Sequence, residues 1–231
     1  MQTTIPKHFP EAIHITDLET KIITDLVNRK LDLKSTVWAT SFCSDEVNNM
    51  FAPFYDLFAG PGPFRLGGIS GLPFSGVTGM NAFLSHAPTN GVALILYGPH
   101  IGVSKDGKLG EVNRQNQFIS SPCCGSLVVA LNSLKENIEF PLDNPLDYQQ
   151  ARVIQHLHDH KTEILEHEYP LKKATEFAYN AIHIKVKKIL KEVTPTLSNL
   201  KLYLIGGIVV NTDWTIEDYF EIKNQEVIEF T

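Results

Sequence analysis

The residues best suited to chemistry in this 231-residue chain are its three cysteines, and each stands where an apolar run breaks into a polar turn. Cys43 ends the run Thr36-Val37-Trp38-Ala39-Thr40-Ser41-Phe42, with Asp45 two residues on. Cys123 and Cys124 are adjacent, just before Gly125 at the start of a predicted helix. His100 closes a second apolar run, Val92-Ala93-Leu94-Ile95-Leu96-Tyr97-Gly98-Pro99. Two thiolates and an imidazole can hold one zinc ion and leave its fourth tetrahedral position open, the arrangement of a catalytic rather than a structural zinc. Free cysteine is also among the most buried residue types, so spacing alone does not separate this reading from core packing. Location favours the site, because ligands in open α/β sheets gather at the carboxyl ends of strands, where Cys43 and His100 both fall. The Cys123-Cys124 pair cannot easily send both side chains to one ion. Cys124, nearer the helix start, is the favoured ligand, with Cys123 packed behind it.

The elements that must carry these residues follow from periodicity. Residues 35–42 alternate and are rich in β-branched and aromatic types, so they read as a strand, as do 92–97 and the apolar run 201–210. Helical spacing marks residues 10–32, 45–57, 80–85, 125–134, 147–168 and 170–192. Asp106-Gly107 signals a hairpin within 101–118, and Lys223-Asn224 suggests a final hairpin over 219–230. Strands that read as buried on both faces, alternating with helices, give an α/β class with a mainly parallel central sheet flanked by helices, in one domain over 1–231. Residues 60–79 hold many glycines and prolines but also Phe, Leu and Ile, so they are not a linker. Their backbone is expected to pass close to something, because glycine permits such approach.

Three further features compete for function. Gly67-Gly68-Ile69-Ser70-Gly71 exposes backbone N–H groups and could cradle a phosphate, but it lacks a Gly-Lys-Ser/Thr ending and a strand-turn-helix frame, so a pocket wall or dimer surface is preferred. His156, His160, Glu163 and His167 share one helical face, yet every neighbour is polar and a solvated face is the better account. His86 is either a proton shuttle or a helix-terminal histidine bonded to backbone.

Composition narrows the partners. With 20 Lys+Arg against 26 Asp+Glu the net charge is −6, and no basic block is dense enough for nucleic acid. No apolar run approaches the roughly 20 residues that span a bilayer. The first residues lack signal-peptide or transit character, so the expected compartment is the cytoplasm, or an organelle if a transit peptide was removed. Three cysteines make an odd number that suits a reducing compartment better than a disulfide framework.

Four motifs together carry a family resemblance: Phe42-Cys43-Ser44-Asp45-Glu46-Val47-Asn48, Gly67-Gly68-Ile69-Ser70-Gly71-Leu72-Pro73-Phe74-Ser75-Gly76-Val77-Thr78-Gly79, Tyr97-Gly98-Pro99-His100-Ile101-Gly102 and Cys123-Cys124-Gly125-Ser126. In this order they resemble the limiting-carbon-dioxide-inducible protein B family, the theta-class carbonic anhydrases. The resemblance implies a β-carbonic-anhydrase-like α/β fold and a homodimer. It also implies reversible hydration of carbon dioxide to bicarbonate by a zinc-bound hydroxide, with zinc on Cys43, His100 and one of Cys123 and Cys124. Asp45 matches the carboxylate that orients the hydroxide. In beta-class enzymes an Arg two residues further on pairs with that carboxylate. Position 47 is Val here, so any guanidinium must come from elsewhere, and Arg65 and Arg114 are the candidates. Left without one, Asp45 could ligate zinc itself and block the open position. His86 is the expected proton carrier, and Leu72, Phe74 and Ile101 the expected apolar walls. The absent Arg keeps a second reading open, a catalytically silent member that binds bicarbonate or a partner. A metal-free hydrolase with Cys43 as nucleophile and His100 as base is a third, disfavoured because such a site needs no further cysteines.

Overall fold

Strand β2 (Thr36–Ser41) and strand β4 (Val92–Tyr97) are buried at every residue, so both sheet faces must be covered. The computed structural model describes residues 4–138, 141, 144–193 and 200–229. Within them the chain runs α1 (Thr4–His8), β1 (Ala12–His14), α2 (Ile15–Asn28), β2, α3 (Phe54–Leu57), β3 (Phe64–Arg65), α4 (Gly76–Ser85), β4, β5 (His100–Val103), β6 (Glu111–Val112), β7 (Ser121–Pro122), α5 (Gly125–Glu136), α6 (Tyr148–His158), α7 (Lys161–Leu165), α8 (Pro170–Glu192), β8 (Lys201–Thr212) and β9 (Tyr219–Glu229). Among the described residues the main sheet has seven strands, ordered β1-β9-β8-β4-β2-β3, with β5 also paired to β8. The β3, β2, β4, β8 and β5 pairings are parallel, and β9 and β1 close one edge antiparallel. This is the mainly parallel α/β sheet expected.

Alternation along the central strands feeds two cores. Val37, Ala39, Ala93, Ile95, Leu202 and Leu204 face a layer built from α4, α5, α6 and α8. Trp38, Leu94, Leu96, Tyr203 and Ile205 face α2 and an aromatic group of Phe42, Phe51, Phe54 and Phe58. Strand β8 is long enough to serve two partners. Its first half pairs with β4 up to Tyr97↔Gly206, and its second half pairs with β5 from His100↔Val209. Only Gly98 and Pro99 interrupt that line. Gly98 has φ +154, and a Cβ there would collide with the Gly207 carbonyl oxygen, so only glycine lets the two backbones lie this close.

Several elements differ from their sequence-based expectation. The helix expected over 10–32 begins as β1, which pairs with β9, and becomes helical only at Ile15. Residues 45–57 form a short 3-10 turn (Glu46–Asn48) and the one-turn α3, because Pro53 disfavours helical geometry at the residue before it. The expected hairpin at Lys223-Asn224 is instead one strand: Gly206 faces Asn224 and Gly207 faces Ile222, so Lys223 is the extra residue of a β-bulge. Phe230 lies outside the described residues. The 147–168 helix breaks at Asp159-His160 into α6 and α7, so His156 and His167 do not share a continuous helix.

Candidate metal centre at the strand ends

Cys43 lies two residues beyond β2, under the glycine-rich segment. That segment folds over the ends of β2 and β4. A Cβ on Gly67 would strike the Phe42 backbone, one on Gly71 (φ +87) would strike the Gly98 carbonyl, and the Ser41 hydroxyl donates to the Gly71 carbonyl at 2.9 Å. The close backbone approach expected of this segment is present. Its amides have specific work: Ser70 N–H donates to Cys43 Sγ at 3.1 Å, and Ile69 N–H donates to Gln149 Oε1 at 2.9 Å. The segment is therefore a wall over the Cys43 sulfur, in place of a phosphate cradle.

His100 opens β5 and is buried. Its Nδ1 lies 2.8 Å from Asn211 Oδ1 on β8, and Asn211 Nδ2 donates to Asp218 Oδ2 at 2.9 Å and more weakly to the Val47 carbonyl at 3.4 Å. The other ring nitrogen, Nε2, is buried and has no hydrogen-bond partner among the described residues. Cys124 is the N-cap residue of α5, and its Sγ stands 3.9 Å from Cys43 Sγ. Donor atoms of Cys43, His100 and Cys124 all fall within 4.8 Å of one another. Two sulfurs each about 2.3 Å from one tetrahedral ion stand about 3.8 Å apart, so the spacing and the orphaned nitrogen both fit zinc. Cys123 Sγ lies 3.4 Å from Nδ1, and donor atoms of Cys123, His100 and Asp45 also fall within 4.8 Å of one another, a second group that includes a carboxylate.

The charges in this cluster depend on one another. A hydrogen bond from Cys124 outweighs burial and, with His100, pulls the Cys43 thiol down to about 4. The same shared bond, reinforced by burial, pushes Cys124 up. Burial opposes a cation at His100, but bonds to Cys123, Cys124 and Cys43 carry its pKa well above the usual histidine range. Burial, with the nearby Asp45 charge, raises Cys123 against the opposing pull of His100 and Arg114. The opposite directions at the Cys43 and Cys124 sulfurs mark them as sharing one proton, which a bound cation would displace.

Asp45 stands beside this cluster and is gripped by Arg114, whose Nη2 reaches both carboxylate oxygens at 3.1 and 2.9 Å. Burial of Asp45 would raise its pKa, but His100 and Arg114 hold it below the usual carboxylate range. Arg114 is fully engaged: Nε donates to Glu46 at 2.8 Å, and the remaining contacts are to Ser121 Oγ and the Pro122 carbonyl. Of the two candidate arginines, Arg114 is therefore the one on Asp45. Arg65 is exposed on β3 and has no hydrogen-bond or ion-pair partner among the described residues, yet it lines the same cavity. That cavity, about 410 Å³, is also bounded by Thr40, Phe42, Cys43, Ser44 and Asp45.

His86 is the exposed C-cap of α4 and packs its ring on Phe64 at 5.7 Å, the neighbour of Arg65 on β3. Leu72 and Ile101, expected as substrate walls, are buried in the same core cluster as Cys43 and Cys124, and Phe74 packs against that cluster and Tyr148. Asn211 and Asp218 escaped the sequence reading. The signal available was an Asn at the end of the buried run Ile208-Val209-Val210, where an unpaired amide would be costly.

The chain matches the sequence profile of the family described as limiting CO2-inducible proteins B/C beta carbonic anhydrases over residues 12–229. No curated protein sequence matches it. Among solved structures it is similar to PtLCIB4, a homolog of the limiting CO2-inducible protein LCIB, at 30% identity and a TM-score of 0.90, covering 99% of this chain and 96% of that one. It is also similar to the limiting CO2-inducible protein LCIB, at 21% identity and a TM-score of 0.71 over 97% of this chain and 96% of that one, which shows a shared fold.

Proposed function

Because the chain belongs to the family of limiting CO2-inducible proteins B/C beta carbonic anhydrases, we propose that it is a zinc-dependent carbonic anhydrase interconverting carbon dioxide and bicarbonate. The observation that carries this reading is the convergence of two buried sulfurs and the unpartnered His100 Nε2 beside a carboxylate held by Arg114. Cys43, His100 and Cys124 would hold the metal. Zinc, when bound, supplies the Lewis acidity that lowers the pKa of water from about 15.7 to about 7.

The protein's own groups do the rest. Asp45 accepts a hydrogen bond from the attacking water and orients its lone pair toward carbon dioxide. Arg114, bonded to both Asp45 oxygens, supplies the guanidinium that Val47 does not and keeps that carboxylate from becoming a fourth ligand. Arg65, a free guanidinium on the cavity rim, draws in and releases the anionic product. His86, exposed to solvent, exchanges the proton with buffer. The chain acts as a homodimer, supported by the apolar Phe118 and Ile119, which are 102% and 79% exposed in the isolated chain close to Ser121 and Arg114. Free thiol ligands suit a reducing compartment such as the cytoplasm.

Zinc analysis combined with stopped-flow carbon dioxide hydration tests the proposal. About one zinc per chain is expected, with Cys43→Ser and His100→Ala each losing both metal and hydration. Stoichiometric zinc without hydration would leave the metal centre standing and refute the enzyme, favouring a bicarbonate-binding member.

A further inference from the structure

A neutral imidazole carries its proton on one nitrogen and its lone pair on the other, and only the lone pair can bind a metal. Which nitrogen is which at His100 is decided by Asn211, and the orientation of Asn211 is decided in turn by groups that can only accept. Asn211 Nδ2 faces the Val47 carbonyl at 3.4 Å and Asp218 Oδ2 at 2.9 Å. Neither can donate, so the amide must point its N–H groups that way and its oxygen toward His100. The oxygen then receives two donors, His100 Nδ1 at 2.8 Å and the Cys123 thiol at 3.5 Å. Asp218 is fixed from its far side, because the Thr212 backbone N–H donates to its Oδ1 at 2.7 Å. From His100 through Asn211 to Asp218 the bonds run in one direction, and Thr212 meets the carboxylate from the other side.

Building on the metal reading above, we propose that Asp218 and Asn211 are positioning residues that set the His100 tautomer: Asp218 fixes the direction of the Asn211 amide, and Asn211 holds the proton on Nδ1, so that Nε2 is the nitrogen that offers its lone pair to zinc. Cys123 takes its place in the same scheme as a thiol donor to Asn211, which gives the third cysteine a role without making it a ligand. Neither Asn211 nor Asp218 touches zinc or substrate. Loss of such outer partners typically lowers metal affinity about 10- to 100-fold.

Reversing the polarity of the series tests the idea. In Asp218→Asn the Thr212 N–H claims the new amide oxygen, so the new NH2 faces Asn211. That amide must then either turn, putting NH2 against Nδ1 and the proton on Nε2, or oppose donor to donor. In the double variant Asn211→Asp/Asp218→Asn the direction is restored, since the introduced carboxylate accepts from both His100 and the introduced amide. The measurement is zinc affinity by competition with a chelator, with melting of the zinc-free proteins recorded in parallel. Expected is a loss of about 10-fold or more for Asp218→Asn at little change in zinc-free melting, and recovery to within about threefold in the double variant. Wild-type affinity in Asp218→Asn overturns the proposal, as does a double variant that fails to recover. If Asp218→Asn does not fold, the double variant decides alone: near-wild-type affinity supports the scheme and a tenfold loss refutes it. A wild-type chain that binds no zinc would sink the metal centre itself, and this inference with it.

Discussion

The strand-end cluster and the α6–α8 layer use the same residue type to opposite ends. His100 is 1% exposed, holds its Nδ1 against Asn211, and leaves Nε2 without a hydrogen-bond partner among the described residues. His160 is exposed and stacks on Phe177 at 3.9 Å, and His167 Nδ1 accepts from the Tyr169 N–H at 2.9 Å. Glu163, the carboxylate of that helical pattern, pairs with Lys173 at 2.7 Å. The α6–α8 residues had the more suggestive spacing, at helical intervals, whereas Cys43, His100 and Cys124 are far apart in sequence. What distinguishes a ligand is therefore the state of its second nitrogen and the absence of any competing partner for the first. Spacing shows neither.

The largest effect separates the two regions outright. His100→Ala should reduce zinc from about one per chain to background, and the triple substitution of His156, His160 and His167 by Ala should leave it unchanged. Metal analysis after dialysis reads both. Retention of zinc in His100→Ala would erase the distinction.

Backbone tolerance sharpens the contrast. Gly98→Ala places a methyl against the Gly207 carbonyl in a conformation that L residues rarely adopt, so the strand ends must part. We expect a loss of at least about 3 kcal/mol, or failure to fold, read by denaturant melting. Gly125→Ala, next to the proposed ligand Cys124 but with nothing near the added carbon, should be neutral or stabilising by about 0.5 kcal/mol. The site is thus rigid at its strand side and permissive at its helix start.

Arg114 separates holding the metal from using it. Arg114→Ala leaves Asp45 without the guanidinium bound to both its oxygens, free to turn toward the ligand cluster. Zinc content should be kept while hydration falls about 10- to 100-fold, roughly 1.4 to 2.8 kcal/mol of barrier. Arg65→Ala should be milder, raising the KM for bicarbonate about two- to fivefold with little change in kcat, because a single exposed charge steers more than it binds. Equal effects of the two substitutions would refute the division of labour between them.

Much of this was legible before any coordinates. The α/β class followed from uninterrupted apolar runs, and Cys43 and His100 from their position at the ends of β2 and β4. What stayed hidden depended on contacts between distant residues. Arg114 is far from Asp45 in sequence, and nothing local marks it as the partner. Val47 at the expected arginine position pointed only to an absence. Lys223-Asn224 resembled a turn because a bulge residue and a hairpin tip share a polar composition, and only pairing with Gly206-Gly207 distinguishes them. Strand β1 was absorbed into a helical pattern because its three residues carry too little periodicity of their own.

The smallest effect tests the bland side of the comparison. His160 and Phe177 stack at an interplanar angle of 11°, and Lys173 lies 5.1 Å from the same Phe177 ring. These contacts join the start of α7 to α8 with no metal involved. Removing the imidazole by His160→Ala should therefore cost only the stacking, about 0.5 to 1.5 kcal/mol, with zinc content and hydration unchanged. His160→Phe keeps a ring without a ligand nitrogen and should recover most of that loss. Were His160 a metal ligand instead, Phe would fail where an aromatic contact succeeds, and added zinc would raise the wild-type melting temperature beyond what the strand-end centre accounts for. Comparing the two variants in chelator-treated protein isolates the stack from any metal, so recovery by Phe would confirm that a histidine can be fully used by its fold while binding nothing.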